Sequence, residues 1–203
     1  MPLPSVVLYD PASLAAALSE HGACLLTGVP DLLATSALRD QLLHLVNSGG
    51  LKPAEIGRGQ GLMMRKEVRG DTTCWIDADS GLAATIYLAT LDALRGELNR
   101  RLFLGLASVE AHFACYAVGT FYERHRDRFR DSDARTVSIV TYLNPAWLPE
   151  HGGALRLYLP TGEVDVFPQD GVTVCFLSEL EHEVLPATRQ RLSIAGWMRR
   201  RAS

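Results

Sequence analysis

The chain is expected to adopt an α+β fold: a double-stranded β-helix, or jelly roll, from its C-terminal half, with N-terminal supporting helices. Three observations predict this. Residues before about position 108 carry apolar side chains at helical period, and residues after 109 break into short β-type runs separated by turn signals. No repeat or low-complexity linker divides the 203 residues. A chain of this length buries a sizeable core without staples. The expected organisation is one domain over residues 1–203, with 1–108 mainly helical support and 109–203 the jelly-roll core.

Asp10-Pro11 combines a side-chain N-cap with proline at the first helical position, and opens a helix that stops near Gly22. Ala23 to Val29 reads as a short apolar strand. Pro30 and Asp31 introduce a helix over about Leu32 to Val46, with Leu38, Leu42, Leu43 and Val46 on one face, ended by Asn47-Ser48-Gly49-Gly50. A third helix spans about Leu82 to Leu104, with Ile86, Leu88, Leu91, Leu94 and Leu98 near helical period. Between these two lies Leu51 to Asp79, a glycine-rich polar connection long enough to mark a functional or mobile segment.

The β-type runs are Val109–Val118, Arg135–Leu143, Leu155–Leu159, Glu163–Phe167, Val172–Leu177, Glu183–Leu185 and Leu192–Met198. Asn144-Pro145, Gly152-Gly153, Pro160-Thr161-Gly162 and Gln169-Asp170-Gly171 punctuate them. Many short strands at this spacing build a sandwich or barrel, here a jelly roll covered by the helices.

Composition narrows the function. Apolar and charged contents of 47% and 21% are those of an ordinary globular protein. A net charge of −3 gives no overall basic footprint, which counts against nucleic acid as the main partner. Met1 to Pro11 lacks the basic and apolar regions of a signal peptide, and no apolar run is long enough for a membrane span. Cys24, Cys74, Cys115 and Cys175 lie far apart with no Cys-x-x-Cys pair, which suits reduced core thiols in cytoplasm.

The chemistry is carried by His125-Arg126-Asp127, followed by His182 and an arginine near the C-terminus. Two imidazoles and one carboxylate make a facial triad that leaves iron positions open for a bidentate 2-oxo acid and O2. His125 and Asp127 are i and i+2, so an extended segment points both to one face. The tripeptide alone is weak, because six histidines and twelve aspartates predict roughly one His-x-Asp in every three such chains, and a charged surface loop reads the same way. Arg191 and Ser193 form a second i, i+2 pair, and an arginine facing a barrel core calls for an anion such as the far carboxylate of a dicarboxylic cosubstrate. Arg189 has the same parity, so spacing ranks the two arginines equally. His-Arg-Asp is also a protein-kinase signature, but position 132 is serine where that signature needs asparagine, and no glycine-rich loop or Asp-Phe-Gly is present. His21, His44, His112 and His151 read as structural.

Ordered blocks extend the pattern: Ala114-Cys115-Tyr116, Tyr122-x-Arg124-His125-x-Asp127, Tyr142-Leu143-Asn144, Gly152-Gly153-x-Leu155-Arg156 and His182-Glu183-Val184-x-Pro186-Ala187, then Arg191. This series resembles the 2-oxoglutarate- and Fe(II)-dependent prolyl hydroxylases of the prolyl 4-hydroxylase superfamily, above all the oxygen-sensing enzymes and their bacterial counterparts. Upstream, Ile56-Gly57-Arg58-Gly59, Arg69-Gly70-Asp71 and Trp75-Ile76-Asp77 resemble the family's mobile lid, at about 51–79 here. The resemblance implies that His125, Asp127 and His182 ligate iron and that Arg191, rather than Arg189, anchors the cosubstrate. It places Tyr142 and Tyr116 in the cosubstrate pocket, and Arg69, Asp71 and Arg135 near the substrate. It further implies Fe(II), 2-oxoglutarate and O2 as reactants, ascorbate as reductant, and a proline-containing protein substrate, with translation-machinery proteins among the candidates. The segment Gly119 to Tyr122 is one residue shorter than in the animal enzymes, and the stretch after Asp127 also differs, so substrate preference does not transfer. A small-molecule hydroxylase, a nucleic-acid demethylase and a non-catalytic jelly-roll binding protein are the competing classes.

Overall fold

The computed structural model describes residues 2–7, 10–54, 68–128 and 134–201. The lid-like block Ile56-Gly57-Arg58-Gly59 lies outside them. Three helices, α1 (Pro11–His21), α2 (Leu32–Ser48) and α3 (Leu82–Leu102), follow the predicted spans closely. Their ends form for the reasons the sequence suggests. Asp10 accepts a hydrogen bond from the Ala12 amide and Asp31 from the Ala34 amide, while Gly22 and Gly49 close α1 and α2 in the left-handed conformation.

Twelve strands are described: β1 (Ser5–Val7), β2 (Ala23–Thr27), β3 (Lys52–Pro53), β4 (Asp71–Trp75), β5 (Leu106–Tyr116), β6 (Tyr122–His125), β7 (Arg135–Tyr142), β8 (Leu155–Leu159), β9 (Gly162–Val166), β10 (Val172–Leu177), β11 (Glu181–Val184) and β12 (Arg191–Arg200). They form an eight-stranded sheet in the order β1-β2-β10-β7-β12-β5-β4-β3 and a four-stranded sheet in the order β6-β11-β8-β9. Two sheets, antiparallel except where β1 runs parallel to β2 at one edge, with helices on one side are the predicted jelly-roll class.

The large sheet is covered on both faces, which explains why β5 and β12 read as nearly continuous apolar runs. Phe113, Cys115, Ile139, Leu192 and Ile194 pack with Leu14, Leu38, Leu91 and Leu94 of the helices. The alternate residues Ala114, Tyr116 and Tyr142 pack with Leu155, Leu157 and Val184 of the small sheet. The space between the sheets therefore belongs to one parity of β5, β7 and β12, and the functional side chains sit on that parity.

The N-terminal half is less purely helical than its periodicity suggests. It supplies four strands to the large sheet, and β4, inside the predicted connection, pairs along β5 from Asp71↔Tyr116 to Trp75↔His112. Such short strands are stabilised by their partner and leave little local signal. His182 also lies within β11 rather than ahead of it.

Candidate active site

β6 and β11 run antiparallel with His125 directly opposite His182, and Asp127 lies in the bend that follows β6. One ligand atom from each of the three residues falls within 4.8 Å of the others, among the described residues. Asp127 Oδ1 is 3.7 Å from His125 Nε2, and its Oδ2 is 3.6 Å from His182 Nε2.

Both rings are held in the tautomer that a metal needs. His125 Nδ1 donates to the Glu123 carbonyl at 2.7 Å and His182 Nδ1 to the Leu180 carbonyl at 3.0 Å. A carbonyl only accepts, so the proton is on Nδ1 and the Nε2 lone pair is free. Packing fixes the ring planes: Tyr122 stacks on His125 with centroids 3.6 Å apart, and Phe176 meets His182 edge-on at 4.8 Å. Burial pushes the His182 imidazolium down to about 4, so the ring stays neutral near pH 7. Burial alone would raise the Asp127 carboxyl, but the neighbouring His182 and His125 rings and Arg135 outweigh it and hold Asp127 well below the usual carboxylate range. The neutral His182 ring and the ionised Asp127 carboxylate are metal ligands in their working forms.

Arg191, only 1% exposed, opens β12 deeper in the same space. Its Nε donates to the Gly153 carbonyl at 3.0 Å and one terminal nitrogen donates to Ser193 Oγ at 3.2 Å. The other terminal nitrogen is buried without a hydrogen bond, and so is the Tyr142 hydroxyl. The guanidinium lies 5.1 Å from the ring centroids of both Tyr116 and Tyr142. Orphaned buried donors are costly unless something accepts from them, and a carboxylate supplies that acceptor. Arg189, the other arginine of that parity, precedes β12, donates to the Ala146 carbonyl and packs over Trp147 on the outside.

Triad and arginine share one cavity of about 760 Å³. Arg69, Asp71 and Arg135 line it as well. Arg69 grips Asp71 through two bonds of 2.7 and 2.9 Å and covers the Tyr122 ring. Arg135 lies 3.6 Å above the Trp197 ring and pairs with Glu110. Eight of the nine predicted site residues thus line one cavity, and the ninth, Tyr142, places its ring centroid 5.1 Å from the Arg191 guanidinium.

Comparison with known proteins agrees with this geometry. The sequence profile of the 2OG-Fe(II) oxygenase superfamily matches residues 111–199. The human prolyl hydroxylase EGLN3 is 28% identical over 213 aligned positions, covering 97% of this chain and 88% of that protein. A prolyl hydroxylase from Trichoplax adhaerens, solved with a hypoxia-inducible-factor peptide, superposes with a TM-score of 0.83 at 28% identity, over 93% of this chain and 88% of that one. A Pseudomonas putida prolyl-4-hydroxylase superposes with a TM-score of 0.87 at 44% identity, over 95% of this chain and 100% of that one. The chain belongs to the 2OG-Fe(II) oxygenase superfamily.

The cofactors of such an oxygenase, Fe(II) and 2-oxoglutarate, fit the residues present. The imidazole pair with one carboxylate suits iron, and the unpartnered Arg191 nitrogen and Tyr142 hydroxyl suit a dicarboxylate. Two further residues have roles at the site that the sequence reading did not assign. Ser138 donates to Asp127 Oδ2 at 2.7 Å and is itself bonded to Ser178 at 2.8 Å. Gly153 has φ +70° and sits so close to Ala187, Trp147 and Arg191 that a methyl group there would meet them at 2.9, 3.1 and 3.5 Å. Its turn motif was visible in the sequence, but its grip on Arg191 was not.

Proposed function

We propose that this oxygenase hydroxylates a prolyl residue in a protein substrate. The observation that carries the reading is the 44% identity to the P. putida prolyl-4-hydroxylase through 95% of this chain and all of that one. In this reading the chain acts as a single catalytic domain, with ascorbate keeping the iron reduced. A cytoplasmic setting suits its four free cysteines.

His125, Asp127 and His182 would hold the iron, and Arg191 the far carboxylate of 2-oxoglutarate, with the Tyr142 hydroxyl donating to it and Tyr116 walling the pocket. Iron and cosubstrate, when bound, couple the conversion of 2-oxoglutarate and O2 to succinate and CO2 with insertion of one oxygen atom into a substrate C–H bond. The chain's own residues orient and shield. Ser138 fixes the rotamer of Asp127, and the Glu123 and Leu180 carbonyls fix the two imidazoles. Tyr116, Tyr142 and Phe176 surround the centre with apolar surface that excludes water. Arg69, Asp71 and Arg135 line the cavity where the substrate would enter.

Purified protein given Fe(II), 2-oxoglutarate, isotopically labelled O2 and a cell lysate tests the reading. One labelled oxygen atom on a specific proline is expected, with translation-machinery proteins the first to inspect. Label confined to free amino acids or other small molecules would replace it with the small-molecule hydroxylase.

A further inference from the structure

The cavity continues past the cosubstrate end. Along β5 its wall is made by Tyr116, Ala114 and His112, and along β12 by Arg191, Ser193, Ala195 and Trp197. Tyr116 pairs with Arg191 and His112 with Ala195, so His112 stands about 14 Å from Tyr116 at the usual strand rise. The small side chains between keep the trough open. At this end three aromatic rings meet: His112 touches Trp75 edge-on with centroids 5.1 Å apart and Trp197 at 5.3 Å. Trp75, 52% exposed, reaches the surface there.

His112 Nδ1 lies 3.1 Å from the Phe113 carbonyl and must be the donor, which leaves Nε2 as a bare acceptor. Burial, with the charge of Arg69 adding to it, pushes the imidazolium down to about 4, so Nε2 carries no proton at neutral pH. Among the described residues none hydrogen-bonds to Nε2, and the ring lines the cavity. The indole N–H of Trp197 beside it is also unpaired. Because the ring lines the cavity, Nε2 is open to whatever enters it, and it stands beside a buried donor that has no partner of its own.

We propose that His112 is a specificity-determining residue, whose Nε2 accepts a hydrogen bond from an N–H of the substrate chain at the aromatic end of the cavity. The proposal rests on the reading of a protein substrate. Trp75 and Trp197 supply apolar walls for the extended segment that flanks the oxidised residue, and His112 fixes its register.

The test measures labelled-oxygen incorporation into protein as a function of lysate concentration for wild type, His112→Phe and His112→Gln. Phenylalanine keeps a ring and removes the acceptor, whereas glutamine keeps an acceptor. His112→Phe is expected to raise the apparent KM for the acceptor protein about five- to tenfold, the scale of one hydrogen bond, with a smaller change in the KM for 2-oxoglutarate. His112→Gln should recover most of that loss. An unchanged KM for His112→Phe, or a glutamine variant as impaired as the phenylalanine one, overturns the proposal. The identity of the labelled residue separates the two readings. Label on a residue other than proline, with the KM rise intact, sinks the prolyl assignment alone; label on proline with no KM rise sinks the role of His112 alone. Label in small molecules only removes both.

Discussion

Ser138 Oγ donates a 2.7 Å hydrogen bond to Asp127 Oδ2. Ser138 comes from β7 in the large sheet, whereas Asp127 follows β6 of the small one, so the bond ties the two sheets together at the triad. With its proton committed to the carboxylate, Ser138 receives the Ser178 hydroxyl on its other side. Replacing Ser138 by alanine frees the Asp127 rotamer and leaves its carboxylate underbonded. Metal affinity should fall about 10- to 100-fold, as expected for a lost outer-sphere partner. Titration with Fe(II) or Mn(II) reads the change directly, and unaltered affinity would deny Ser138 this role.

Arg191 presents a fork, and lysine keeps the charge while losing it. Arg191→Lys should raise the KM for 2-oxoglutarate at least about tenfold, because the paired bonds to a carboxylate are lost. The variant should also discriminate less between 2-oxoglutarate and a 2-oxo acid lacking the far carboxylate. Equal discrimination by wild type and variant would mean that the guanidinium does not meet that carboxylate.

At Gly153 a methyl group would come within 2.9 Å of the Ala187 side chain, on a backbone whose φ of +70° already disfavours any other residue. Gly153→Ala should cost about 1–3 kcal/mol of stability. It should also shift the carbonyl that holds Arg191 Nε, and so raise the KM for 2-oxoglutarate. Denaturation and cosubstrate kinetics on one preparation separate the effects. A destabilised variant with wild-type KM would show that the Gly153 carbonyl does not aim the guanidinium.

Asp71 has no exposed side-chain surface, and Arg69 is its partner. Asp71→Ala strands the guanidinium and is expected to cost about 3 kcal/mol. The double change Arg69→Met with Asp71→Leu should cost less than the single one, because it removes both charges. Urea midpoints for the two variants decide the order. A double variant less stable than the single one would make the pair a net stabiliser in its own right.

How far the sequence disclosed this site depends on the range of the interactions. His125 and Asp127 were legible because i, i+2 parity is local, and helix ends at Asp10 and Gly22 because capping is local. The tie between Arg189 and Arg191 was not resolvable by parity. It is broken by where β12 begins, at Arg191, so that the earlier arginine stays outside the barrel. β4 was hidden because five residues gain their order from pairing with β5. Ser138, inside an apolar run, gave no sign that a carboxylate eleven residues earlier in the chain would reach it.

The most direct test of the central claim is the stoichiometry of succinate released to oxygen gained by a prolyl substrate, measured by mass spectrometry for wild type and for His125→Ala. Wild type should release one succinate per oxygen atom placed on proline, and His125→Ala neither product. Normal succinate release from the purified His125→Ala protein would contradict the claim.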